Sequence, residues 1–200
     1  MKYELNHKEI REGVSNLCSK FSSNYWQETD RNNSYPQEFV KTLTEAGYLS
    51  SLIPEKYGGL GLSISAGAAI LEEIHKSGSN AAACHAQMYT MGTVLRYGSE
   101  NQKTEYLPKI ANGSLRLQAF GVTEPSSGSD TTSLKCNAIL KGDNYYINGQ
   151  KIWTSRAEYS DLILLLARTN PKKKSLKKTE GLSVFLVDLR LVPKESITIK

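Results

Sequence analysis

The sequence predicts an α+β protein, with an all-α helical domain over residues 1–112 and an antiparallel β domain over residues 113–200. Two observations predict it. Up to Ala111, apolar residues recur at three- and four-residue spacing, the period of an amphipathic helix. After Gly113, short apolar runs alternate with turn residues, the pattern of strands joined by tight turns.

The elements follow in order. Ile10, Val14, Leu17, Cys18 and Phe21 share one face of a first helix. Pro36 opens a second, since the first helical turn has no use for the amide hydrogen that proline lacks. Phe39, Val40, Leu43 and Ala46 line its apolar face, and Gly47 ends it. Ile53-Pro54-Glu55-Lys56-Tyr57-Gly58-Gly59-Leu60-Gly61 reads as a loop. Helical pattern resumes over residues 64–75, 80–97 and 100–111. Strands are expected over 115–122, 134–140, 145–147, 151–154, 162–169 and 182–189. Asn148-Gly149 is a hairpin-turn signal, because both residues tolerate positive φ, and Lys141-Gly142-Asp143-Asn144 is a second. Short strands with tight turns suggest a sandwich or barrel. Ile197 and Ile199 alternate as in a strand, and a β domain ending on an unfinished strand leaves an open edge. A fragment of a longer chain is therefore expected.

Composition narrows the class. With 39% hydrophobic and 22% charged residues, the chain is neither disordered nor a coiled coil. The net charge of +5 suits an anionic ligand such as a nucleotide or a coenzyme A ester. Much of the excess sits in Lys172-Lys173-Lys174-Ser175-Leu176-Lys177-Lys178, which has no interleaved aromatic and reads as a solvated loop, not a nucleic-acid arm. Cys18, Cys84 and Cys136 match no metal spacing, and reduced thiols in a cytoplasmic protein are expected. His7, His75 and His85 form no metal set. Residues 1–7 lack the apolar core of a secretion signal, and the apolar run over 162–167 is too short to span a bilayer.

The candidate site is the pairing of two segments. Ala119-Phe120-Gly121-Val122-Thr123-Glu124-Pro125-Ser126-Ser127-Gly128-Ser129-Asp130 runs from an apolar strand into a hydroxyl-rich loop. Gly128 lets backbone approach an oxygen closely, and Ser129 can donate to it. The loop is neither a P-loop nor a dinucleotide fingerprint. Gly149-Gln150-Lys151-Ile152-Trp153-Thr154-Ser155 adds an aromatic followed by two hydroxyls. Together they can supply a flat apolar wall and hydrogen bonds to a heterocycle. Glu124-Pro125 reads as a loop-shaping pair, since the residue before proline stays extended. Asp130 is read as a brace of the loop. His85-Ala86-Gln87-Met88-Tyr89-Thr90-Met91-Gly92 suits either an acyl pocket or ordinary helix packing.

These two segments, with Gly142-Asp143-Asn144-Tyr145-Tyr146-Ile147-Asn148, the 161–169 run, the 53–61 loop and the stretch 97–110, resemble the acyl-CoA dehydrogenase family over essentially the whole chain. The resemblance implies an N-terminal helical domain, a middle β-barrel and a C-terminal four-helix domain that is absent here. It implies FAD in a cleft between domains, acyl-CoA as substrate, an electron-transfer flavoprotein as electron acceptor, and a dimer or tetramer in the full-length form. Carried onto this sequence, Phe120, Val122, Thr123, Gly128, Ser129, Trp153, Thr154 and Ser155 would bind the cofactor. Thr123 would meet the flavin pyrimidine edge, and Gly128 and Ser129 the FAD and the acyl-CoA. Trp153 would pack along the isoalloxazine ring, with Thr154 and Ser155 at its redox-active edge. The resemblance puts the catalytic base in the absent domain, so no catalytic residue is assigned here and Glu124 is not the base. Thr154 and Ser155 stand where the family commonly has an aliphatic residue and Thr. Arg156 stands where a small or amide residue is usual. It would place a cation near flavin or substrate, or else turn to solvent or pair with Glu158 or Asp161. The reading is an FAD-dependent acyl-CoA dehydrogenase, inactive as this chain alone. An oxygen-using flavin relative, or a fragment that binds flavin or acyl-CoA weakly or not at all, are the alternatives.

Overall fold

The computed structural model describes residues 7–170 and 177–200. Residues 172–176 of the basic run and the first six residues lie outside these, while Lys177 and Lys178 are exposed. The backbone divides into two compact units, Met1–Arg116 and Leu117–Lys200. Among the described residues the first holds six α-helices and the second five strands.

In the helical unit, α1 (Lys8–Cys18) buries Val14, Leu17 and Cys18. Arg11 ties α1 to α4 (Ile64–Lys76), with its two terminal nitrogens 2.7 and 2.6 Å from Glu72 and Glu73. α2 (Ser23–Arg31), capped by the Ser22 hydroxyl, has no counterpart in the sequence reading. It buries no residue, so it carries no apolar stripe to recognise. What seats it is aromatic packing: Tyr25 and Trp26 stand edge-on to Phe21 and Phe39, with centroids 4.8–5.0 Å apart. α3 (Gln37–Glu45) follows Pro36 and buries Phe39, Val40 and Leu43 completely. Its chain reverses at Gly47, which is left-handed at φ 78°. α5 (Ala82–Tyr97) and α6 (Glu100–Ala111) complete the unit. Ser99 and Gln102 cap α6 reciprocally, which satisfies two orphan amides at its start. The 53–61 loop holds one short 3₁₀ turn, Glu55–Tyr57, and Tyr57 donates to Glu100 at 3.0 Å.

The second unit is a mixed sheet in the order β1-β4-β2-β3, with β5 also on β4. The strands are β1 (Leu117–Gly121), β2 (Asn137–Lys141), β3 (Asn144–Asn148), β4 (Leu162–Arg168) and β5 (Leu182–Asp188). β2 and β3 form an antiparallel hairpin through Gly142-Asp143, and β4 and β5 pair antiparallel over seven residues. β1 runs parallel to β4, with Leu117 opposite Leu162. A parallel pair needs a long crossover, and the whole 122–161 segment supplies it. β2 meets β4 only where Asn137 faces Arg168. Leu134, Cys136, Ala138 and Ala167 form a small core that Ile147, Leu182 and Phe185 cover.

Three local expectations are corrected. Residues 151–154 form no strand, because Trp153 turns left-handed at φ 59° and leaves the extended region. Residues 195–200 form no strand either; Lys194–Ser196 is a 3₁₀ turn and the rest is unpaired. Asn148-Gly149 is not a hairpin turn. Gly149 is instead a close-approach residue: a Cβ there would stand 2.6 Å from Cys136 Cβ and 2.7 Å from its Cα. Gly149→Ala is therefore expected to lower unfolding stability by about 1–3 kcal/mol through overpacking. Urea unfolding followed by circular dichroism measures it, and an unchanged midpoint would show that Cys136 yields freely.

Candidate functional site

The site is built by one buried cross-link. β1 ends at Gly121, and the chain then reverses over Glu124–Ser127, whose amides and carbonyls pair at 2.8 and 3.1 Å. Glu124 is only 4% exposed. One of its oxygens accepts from the Cys136 amide at 2.9 Å and from Lys151 Nζ at 2.9 Å; the other accepts from the Lys135 amide at 2.6 Å. Lys151 Nζ also donates to the Val122 carbonyl at 3.1 Å, and the Ile152 amide to the Thr123 carbonyl at 2.9 Å. Three separate stretches of chain thus meet on one carboxylate. Burial pushes its pKa up, but the Lys135 amide, the Lys151 ammonium and the Cys136 amide outweigh burial and hold it below the ordinary value.

The rest of the first loop is braced from within. Ser127 donates to the Asp130 carbonyl at 2.6 Å. The Asp130 carboxylate caps the Thr131–Ser133 3₁₀ turn, accepting from Thr132 and from the Ser133 hydroxyl. Those hydroxyl bonds, from Ser133 first and Thr132 next, lower its pKa. Gly128 and Ser129 are exposed, and Thr123 and Val122 half-buried. Gly128 lacks positive φ, and the nearest atom to a Cβ built on it is Thr123 Cγ2 at 3.9 Å. Neither conformation nor packing within the unit asks for glycine there.

The second segment breaks two local rules at once. Trp153 and Arg156 both hold left-handed backbone, which costs a non-glycine residue on the order of 1–2 kcal/mol. The Ser155 amide donating to the Trp153 carbonyl at 3.0 Å fixes the first bend. The Tyr159 amide at 3.1 Å and the Ser160 hydroxyl at 2.8 Å, both on the Arg156 carbonyl, fix the second. Trp153 is 85% exposed, an unusual state for so large an apolar ring on a rigid bend. Ser155 is exposed beside it, whereas Thr154 Oγ1 is buried with no hydrogen-bond partner. Arg156 Nε is likewise buried and partnerless.

Of the residues predicted to bind the cofactor, Thr123, Val122, Trp153, Thr154 and Ser155 sit on the two segments that the Glu124–Lys151 pair joins. Phe120 lies in β1, opposite Leu164 of β4. Gly128 and Ser129 lie on the exposed part of the braced loop. Lys151, Gly149 and the Lys135 and Cys136 amides escaped sequence reasoning, because their partner is 11 to 27 residues away in the chain. In the helical unit, His85 stacks edge-on to Tyr89 at 5.3 Å, while Met91 is fully buried and Met88 nearly so. The face that holds Met88 and Met91 is a packing face. No helix of the described residues is long and apolar enough to cross a membrane.

Comparison with known proteins agrees with both units. Residues 5–114 match the acyl-CoA dehydrogenase N-terminal domain and residues 119–199 the acyl-CoA dehydrogenase middle domain. The chain belongs to the acyl-CoA dehydrogenase family. Cyclohex-1-ene-1-carbonyl-CoA dehydrogenase of Syntrophus aciditrophicus is 36% identical over 90% of this chain and 43% of its own length. Glutaryl-CoA dehydrogenase of Desulfococcus multivorans is 35% identical over 95% of this chain and 48% of its own. The crystal structure of acyl-CoA dehydrogenase from Geobacillus kaustophilus superposes with a TM-score of 0.82 at 28% identity, covering 94% of this chain and 49% of that one. The chain spans about half the length of the relatives it matches.

The cross-link predicts a specific loss. Glu124→Gln removes one partner of a buried ion pair and should destabilise the chain by about 3–5 kcal/mol. Because its folded pKa is depressed, the Glu124 carboxylate stabilises fully above the ordinary value of 4.5, and that stability is lost as pH falls through the lower folded value. Unfolding curves across this acid range should therefore slope for the unsubstituted protein and flatten for Glu124→Gln. Equal slopes would show that other groups govern acid unfolding.

Proposed function

We propose that this chain contributes the flavin-ring half of an FAD-dependent acyl-CoA dehydrogenase, which oxidises an acyl-CoA thioester to the 2,3-enoyl-CoA. The observation that carries the reading is Trp153: an exposed indole on a bend held left-handed, beside one open and one partnerless hydroxyl. A flat aromatic heterocycle would cover the exposed indole and meet the open Ser155 hydroxyl at its edge, so these residues fit the ring. When bound, FAD supplies the two-electron acceptor chemistry.

The residues act by orientation. Trp153 offers the stacking wall, and Ser155 the open hydroxyl at the ring edge. Thr123 is fixed by its own carbonyl, which accepts from Ile152, so its side chain stays in register with Trp153. Phe120 and Val122 precede it on the same run. Gly128 and Ser129 form the approach for phosphate or thioester oxygens, where a missing Cβ and a free hydroxyl both help. Glu124 is no proton acceptor for substrate, since both its oxygens are occupied and its pKa is lowered. No residue of the loop pair is assigned as the base. The electrons would pass to an electron-transfer flavoprotein, and the working form would be a dimer or tetramer in the cytoplasm.

Trp153→Ala should weaken FAD binding by tenfold or more, read from quenching of flavin fluorescence, with little change in unfolding midpoint. Unchanged affinity would remove the stacking role and the reading with it. Gly128→Ala should cost less than about 0.5 kcal/mol of stability, since nothing crowds the added methyl. The same variant should weaken FAD or acyl-CoA binding; if it does not, close approach at Gly128 plays no part.

A further inference from the structure

Among the described residues, four buried side-chain polar atoms have no partner, and two of them are Thr154 Oγ1 and Arg156 Nε. Four non-glycine residues hold positive φ, and two of them are Trp153 and Arg156. Both kinds of exception therefore converge on Arg156. Glycine would hold the left-handed bend without strain, and an uncharged side chain would avoid burying an unpaired guanidinium nitrogen. The bend is nonetheless fixed on both sides of the Arg156 carbonyl. Within the chain, the buried Arg156 Nε gains no hydrogen-bond partner.

We propose that Arg156 is a charge-compensating residue for the flavin ring: its guanidinium receives the negative charge that the ring gains on reduction. The assignment rests on the flavin reading above. The electron balance is simple. Oxidised isoalloxazine is neutral; a hydride brings two electrons and one proton, and the product ring carries one negative charge. In the proposed reaction the acyl thioester supplies that hydride. A cation three residues from the stacking Trp153 interacts little with the neutral ring and strongly with the anionic one, so it favours the reduced form selectively. A guanidinium keeps its charge at every working pH, and its fork of donors suits the carbonyl and imide edge of a flavin.

The test is the midpoint potential of FAD bound to the 200-residue chain, measured by anaerobic dye equilibration, alongside the affinity for oxidised FAD. Arg156→Gln should reduce the preference for reduced over oxidised flavin about tenfold, which for a two-electron couple is a fall of ~30 mV. Arg156→Gly, which relieves the bend, should show the same fall with no loss of thermal stability. Arg156→Lys should restore most of it, and the affinity for oxidised FAD should stay within about twofold throughout. An unchanged potential in Arg156→Gln would overturn the assignment and leave the flavin site standing. An equal loss of affinity for both redox forms would overturn it as well, making Arg156 an ordinary binding contact. Failure of the unsubstituted chain to bind FAD would overturn the site reading and this assignment with it.

Discussion

The Glu124–Lys151 pair is the constraint on which the site depends. The two residues are 27 positions apart, and the hairpin of β2 and β3 lies between them. A carboxylate that is 4% exposed needs its lone pairs filled, and this one draws its donors from residues 135, 136 and 151. An isolated buried pair gives little net stability, because desolvation offsets the Coulomb gain. The backbone amides change that balance, since charge-assisted bonds to fixed amides are about twice as strong as neutral ones. What the arrangement secures is registry: the hydroxyl-rich loop and the Trp153 bend are held to one point by bonds of 2.6–3.1 Å.

Gly149 is the steric condition for that registry. After β3 the chain must cross over Cys136 at a distance that admits no side chain, and only then does Lys151 arrive beside Glu124. The same crossing explains why residues 151–154 join no ladder. Lys151 and Ile152 spend their bonds on Val122, Glu124 and Thr123, and the next residue bends left-handed. A paired strand here would bury the indole or turn it flat along the sheet. The irregular segment leaves it standing free at a fixed bend.

The fold was legible wherever the chain obeys a period. The helix ending at Ala111 and the strands centred on residues 119, 139, 146, 165 and 185 follow from apolar spacing and turn residues. α2 was not, since it is seated by edge-on aromatic contacts and not by a stripe. The two parallel pairings of β4 were not, because turn chemistry announces hairpins and says nothing of crossovers. Within the candidate site, residue types singled out the two segments that Glu124 and Lys151 join: hydroxyls, glycine and a tryptophan carry their chemistry on their face. Geometry did not show itself. Asn148-Gly149 carries a strong turn signal, yet the turn is one strand earlier, at Gly142-Asp143, and Gly149 serves a contact with a residue 13 positions back. Local propensity was overridden by a tertiary approach that no window of sequence contains.

Within the second unit, the strained non-glycine residues and the partnerless buried side-chain atoms are not scattered. Strained backbone and partnerless buried groups both concentrate in 153–156, one segment of a unit whose other polar groups are well matched. Asp130 fills its carboxylate with three bonds from Thr132 and Ser133, and Glu124 takes three from across the chain. A fold able to satisfy those groups so fully could satisfy Thr154 and Arg156 with a hydrophobic residue and a glycine. Proteins that obey local rules nearly everywhere break them where a ligand completes the accounting. In the proposed reading a ligand bound against this bend would meet the flat wall of Trp153 and the cation of Arg156, the first setting its shape and the second its charge.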